Sequence, residues 1–175
     1  MTLKELRKLD FGEGEKIPTL RELAELTKNK IGLNCEIIVE GISKPTIEIF
    51  KEYDIINTTI ISSFIHKELI EIQKLEPDIK LASLEPTVEN RAKNIDWDIK
   101  KNMIQFCIDN NFFAINPIAM MVDQKFVEYA HQHNIKVFPW TVDSKIMIKK
   151  LIRFGVDGIF SDDILNTQKI IAQYS

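Results

Sequence analysis

The residues with chemistry to offer stand mostly at the ends of short β-branched runs. Asn34, Glu36 and Ile38 lie two positions apart in the run from Ile31 to Val39, so strand alternation puts all three on one face. Glu36 is open to two roles there, as a ligand for a cation or as a lining acid paired with Asn34 or a neighbouring strand. Alone it makes a poor site for a hard cation, which takes several oxygens. Glu85, Asn116 and Asp162 end other runs. Asp162 stands just before Asp163 and a helical stretch, where a short acid can serve as the N-cap. Phe64 and Trp140 also end runs, and a ring in such a position either lines a pocket or packs under a loop. Of the three histidines, His66 opens a helical stretch while His131 and His133 close one. None of the three is singled out as a catalytic group. Lys4, Arg7 and Lys8 form a small solvated basic face.

Positioning these groups falls to an alternating series of elements. Strands are expected at Ile31 to Val39, Thr58 to Phe64, Ile79 to Leu84, Phe112 to Ile115, Ile135 to Thr141 and Gly158 to Phe160, each bounded by Gly, Asn, Pro or Ser. Amphipathic stretches at Lys44 to Tyr53, His66 to Leu75, Trp97 to Asn110, Asp123 to His133, Ser144 to Phe154 and Asp163 to Ala172 are long enough for crossover helices. Strict alternation of this kind demands a parallel sheet covered by helices, either open or closed into a barrel. The first 30 residues differ: Leu3, Leu6 and Leu9 make an apolar stripe, residues 11 to 16 a Gly-rich charged loop, and Pro18 introduces a helix running to about Thr27.

The 175 residues, 45% hydrophobic and 28% charged, suffice for one core and not for two large domains. A single domain over residues 1–175 is expected. The net charge of -3 and the absence of a Lys/Arg block give no footprint for nucleic acid or a membrane surface. Cys35 and Cys107 fall in apolar runs, as buried thiols of a reducing compartment do. With neither an apolar signal core nor a spanning segment, a soluble cytoplasmic protein is expected.

Five phrases follow one another: Glu-Lys-Ile-Pro-Thr-Leu at 15–20, Leu-Asn-Cys-Glu-Ile at 33–37, Ser-Ser-Phe at 62–64, Trp-Thr-Val-Asp at 140–143 and Gly-Val-Asp-Gly-Ile-Phe-Ser-Asp at 155–162. In this order and spacing they resemble the glycerophosphodiester phosphodiesterase family, over essentially the whole chain. The resemblance implies a TIM-type (β/α)8 barrel with its active site at the C-terminal strand ends. It implies hydrolysis of glycerophosphodiesters to glycerol 3-phosphate and an alcohol, with a divalent cation, Ca or Mg, and a pair of histidines. It identifies residues 31–175 as six of eight βα units and residues 1–30 as the segment before the third barrel strand. The first two units carry the family's His-Arg-Gly motif, its Glu-x-Asp metal pair and its second histidine, which have no counterpart here. By the same resemblance Glu36 matches the third metal carboxylate, while Ile38 stands where the family has a phosphate-binding lysine. Lys30, Lys44 or Lys80 could replace that lysine only by accident of geometry. Trp140 and Phe64 match aromatic positions lining the glycerol pocket.

Two expectations of function follow. One is a phosphodiesterase barrel whose N-terminal quarter comes from elsewhere, the chain alone being inactive. The other is a non-catalytic binding or interaction protein that keeps the barrel wall. Six parallel strands without closure leave two edges and an apolar face bare, so a homo-oligomer or a complementing N-terminal fragment is the expected partner.

Overall fold

The computed structural model describes residues 1–87 and 95–174. Two helices lead, α1 (Leu3–Leu6) and α2 (Leu20–Thr27). Each starts on a reciprocal cap: Thr2 with Glu5, and Thr19 with Glu22, the threonine oxygen accepting from the glutamate N–H while the carboxylate accepts from the threonine N–H. Strands and helices then alternate through β1 (Leu33–Glu36), α3 (Ser43–Glu52), β2 (Thr59–Ser63), α4 (His66–Leu75), β3 (Lys80–Glu85), α5 (Trp97–Asp109), β4 (Ala114–Pro117), α6 (Gln124–Gln132), β5 (Lys136–Val137), α7 (Lys145–Phe154) and α8 (Ile164–Ile171). The strands form one sheet in chain order, parallel at every pairing.

Strand register sorts the side chains onto two faces. Glu36 pairs with Ser62, Ser62 with Ala82, and Ala82 with Ala114, while Leu84 pairs with Asn116. That row shares one face. The alternate residues Ile61, Leu81, Ile115 and Val137 are buried in one core with Phe50 of α3, Leu69 and Ile72 of α4, Ile104 of α5, Phe126 of α6 and Leu151 of α7. Burying such side chains stabilises a fold by roughly 1.5–3 kcal/mol each, which is why the helices stay on this side.

The return from helix to strand uses a repeated device. Asn29, Asp54, Asn111, Asn134 and Gly155 follow α2, α3, α5, α6 and α7 with φ values between 52° and 80°, the left-handed region that Asn, Asp and Gly enter at least cost. A different constraint acts at Gly32, where a Cβ would lie 2.9 Å from the Thr58 oxygen.

Five strands are present among the described residues where six were expected. Gly158 to Phe160 runs beside the β5 segment, with Asp157 N–H donating to Val137 O (3.1 Å), Phe160 N–H to Pro139 O (2.9 Å) and Val142 N–H to Phe160 O (2.8 Å). Pro139 has no N–H to give and confines β5 to two residues, so no regular ladder forms. Asp157 supplies the missing cohesion. Its carboxylate accepts from Val137 N–H (2.9 Å), Lys136 Nζ (2.7 Å) and His131 Nε2 (2.8 Å). The sheet does not close on itself, since β1 pairs only with β2 among the described residues.

Candidate functional site

A cavity of about 440 Å³ opens at the C-terminal ends of the strands. Its walls come from both ends of the sheet: Asn34 and Glu36 of β1 on one side, Trp140, Thr141 and the 160–162 segment on the other, with Ser62, Phe64 and Leu84 between. The alternation that places Asn34 and Glu36 on one face thus brings them to the same cavity as Trp140 and Phe64. All three residues expected to bind metal or substrate meet there.

Asn34 is engaged sideways, accepting from Ser62 Oγ at 2.8 Å. The Glu36 carboxylate makes no hydrogen bond among the described residues, so the pairing with Asn34 does not occur. The end of β1 is nevertheless fixed, because Ile37 N–H donates to Ser62 O (2.8 Å) and Ser63 Oγ donates to Ile37 O (2.6 Å). Beyond it, the loop into α3 is held by Glu68, whose carboxylate accepts from Gly41 N–H (3.0 Å) and from Ser43 Oγ. Those donors, Ser43 first, keep its carboxyl below the usual range. Glu68 does from α4 what Ile42, which makes no side-chain cap, cannot do for α3.

The aromatic pair is equally constrained. Phe64 and Trp140 meet edge to face, ring centroids 5.6 Å apart, an arrangement favoured by the ring quadrupoles. Trp140 Nε1 donates to Asn116 O at 2.8 Å. Its main chain is held as well, through Trp140 N–H to Pro117 O (3.0 Å) and Ala119 N–H to Trp140 O (2.8 Å).

The third wall joins two of the sequence phrases. Asp143 Oδ1 accepts from Ser161 Oγ and from Asp162 N–H, both at 2.9 Å, and these bonds hold its carboxyl below the usual range. Asp162 is thereby turned toward the cavity it lines. It does not cap the last helix. Asp163 does, its side chain accepting from Asn166 N–H, because the main chain between 161 and 163 is committed to the Asp143 and Ser161 bonds.

Other expectations fall outside the cavity. Lys44 pairs with Glu48, Lys80 reaches Asn57 O, and Lys30 lines a different cleft. None of them takes the place opposite Glu36. Ile38 is 71% exposed beyond the end of β1. His131 is engaged by Asp157 near the start of β5, away from the cavity. Among the described residues no three His, Cys, Asp or Glu side chains gather as a metal site. The groups present therefore do not fit a divalent cation by themselves.

One pair was not foreseen. His66 Nε2 lies 3.4 Å from Glu85 Oε1 and 3.4 Å from Leu84 O, with its ring stacked on Phe106 at 4.7 Å. Glu85 is 2% exposed, and burial pushes its pKa up to about 7 against the opposing bond from Thr87 N–H. Burial also lowers the pKa of His66. The sequence marks both as ends of elements, but nothing in it tells that they touch.

Comparison with known proteins places this geometry in context. Residues 1–166 match the model of the glycerophosphoryl diester phosphodiesterase family. A glycerophosphodiester phosphodiesterase of Caldanaerobacter subterraneus subsp. tengcongensis is 36% identical over 181 residues, covering 93% of this chain and 68% of the relative. Among solved structures, a glycerophosphodiester phosphodiesterase from Parabacteroides distasonis superposes with a TM-score of 0.82 at 20% identity, covering 99% of this chain and 72% of that one. An Oleispira antarctica phosphodiesterase in complex with its product sn-glycerol-3-phosphate gives a TM-score of 0.78 at 24% identity, over 98% and 70% of the two chains. Both superpositions speak to fold.

Proposed function

The chain belongs to the glycerophosphoryl diester phosphodiesterase family, and from that premise we propose that it forms the substrate-holding wall of a glycerophosphodiesterase barrel. The observation that carries this reading is the shared cavity of Glu36, Phe64 and Trp140, open between the first and last segments of the sheet. Phe64 and Trp140 enclose the glycerol. Glu36 contributes one oxygen ligand toward a divalent cation, Ca or Mg, whose other ligands come from outside these 175 residues. A general acid and a general base are needed on either side of the scissile bond, and among the described residues the cavity walls offer no histidine. Those groups enter with the rest of the barrel, whether on the same polypeptide or on a complementing one.

A second reading is favoured by Ile38. The residue corresponding to the family's phosphate-binding lysine is an exposed aliphatic group, so no cation at that position stabilises phosphoryl charge. On this reading the chain binds through its open wall and performs no chemistry.

Hydrolysis of glycerophosphocholine by the purified 175 residues, with Ca or Mg present, tests the first reading. The expected result is no turnover from folded protein, with glycerol 3-phosphate still bound by calorimetry. Turnover that disappears in Glu36→Ala would overturn the view that acid and base lie elsewhere. Loss of all product binding from folded wild-type protein would leave the second reading standing.

A further inference from the structure

Beside the candidate site lies a second cavity of about 610 Å³, and Trp140 is common to the walls of both. Its lining is apolar: Pro86, Ile95, Ile118, Met120 and Met121. Among the described residues the one charged contributor is Lys100, whose ammonium is taken by Asp123 at 2.6 Å and whose side chain is 15% exposed. That pairing neutralises its charge. No carboxylate lines the cavity among the described residues, and the described lining suits an aliphatic chain better than a cationic head group. The contrast with the first cavity is chemical. Asn34, Glu36, Ser62 and Asp162 stand beside Phe64, Leu84 and Phe160 in the first cavity, whereas methionine, isoleucine and proline dominate the described lining of the second.

Resting on the glycerophosphodiester reading above, we infer that the second cavity receives the alcohol side of the diester, and that this alcohol carries an alkyl or acyl chain. The glycerophosphate stays in the Glu36 cavity, and the ester oxygen passes the Trp140 edge. Two features support one continuous ligand. The cavities share a wall, and that wall is fixed, since the indole N–H and both main-chain groups of Trp140 are bonded to residues 116–119. Met120, 83% exposed at the mouth, offers a flexible thioether that accommodates chains of different length.

Calorimetric titration of the intact chain tests this, using a series of glycerophosphoalkanols from ethyl to octyl below their micellar concentrations. Glycerophosphocholine, glycerol 3-phosphate and free hexanol are titrated alongside. Affinity is expected to rise about two- to fourfold per methylene until the cavity is filled, with the hexyl diester at least tenfold tighter than glycerophosphocholine. Met120→Glu is expected to flatten the series. A flat series in the wild type, with glycerol 3-phosphate still bound, overturns the inference and leaves the glycerophosphodiester reading intact. A rise no steeper than that of free alkanols, with no gain from the glycerophosphate, overturns it too, because the two cavities would then not hold one ligand. No binding of glycerol 3-phosphate or any diester by folded chain overturns the reading on which the inference rests.

Discussion

The indole N–H of Trp140 donates to the main-chain oxygen of Asn116 at 2.8 Å, while the Asn116 side-chain amide, fully buried, has neither its oxygen nor its nitrogen hydrogen-bonded among the described residues. The outcome is a rigid rim standing on a costly support. A buried polar group without partners costs about 1–3 kcal/mol. Asn116→Leu, which keeps the branched shape, is therefore expected to stabilise the chain by about 1–2 kcal/mol in urea denaturation. A destabilised variant would mean that the amide is satisfied in solution.

The Glu85 and His66 pair sets a pH dependence. Glu85 rises from 4.5 to about 7 on folding, chiefly through burial, so the folded chain keeps a proton that the unfolded chain releases. Its contribution is full below the unfolded value and is lost as pH rises toward 7, by about 3 kcal/mol. His66 acts in the other direction. With its pKa lowered by burial, its contribution is present above the unfolded value of 6.5 and lost as pH falls. Glu85→Gln keeps an acceptor for Thr87 N–H and removes only the first effect. Its melting temperature should exceed the wild type's above pH 7, with the gain shrinking toward pH 5. A gain of constant size across that range would sink this assignment.

Asp157 joins the irregular sixth segment to β5. Burial pushes its carboxyl up, but Lys136, the Val137 N–H and His131 together outweigh that and hold it below its ordinary value. Asp157→Ala is expected to cost about 2–3 kcal/mol by leaving the Val137 N–H and Lys136 without their acceptor. Asp157→Asn, which can still accept from Val137, should cost less. Amide exchange at Val137 and Asp157 would report the loosening directly, and unchanged protection in the alanine variant would remove Asp157 from its structural role.

The outer edge of β1 and the exposed Ile31, Ile38 and Val39 around it make a surface of the kind that pairs with another chain. We expect wild-type protein to sediment as an oligomer. Ile38→Lys should shift it toward monomer with stability changed by no more than about 0.5 kcal/mol, as for other exposed positions. Wild-type protein sedimenting only as folded monomer would refute this.

Much of this arrangement was legible in the residues. Alternation placed α4 at its observed ends and brought Glu36 onto the face of Asn34, because periodicity is a local property. The pairing partners were not legible. That Ser62 stands beside Glu36, or that Asp143 captures Asp162, depends on register and on loop return, which single-segment patterns do not encode. The sixth strand failed for a local reason that was present in the sequence: Pro139 interrupts the run expected from Ile135 to Thr141, and a proline argues against a continuous ladder. The cap went to Asp163 instead of Asp162 because Asp143, 19 positions before Asp162, claimed the Asp162 amide.

Trp140 is tied to a single short stretch of chain, through its amide, its carbonyl and its indole, all to residues 116–119. Ring and stretch therefore move as one body. Displacing Ile118 to widen one cavity carries the partition with it and narrows the other, so selectivity for the two halves of a ligand cannot be tuned independently from that side. Independent tuning has to start from walls outside that stretch, at Asn34 and Glu36 for one half and at Ile95 for the other.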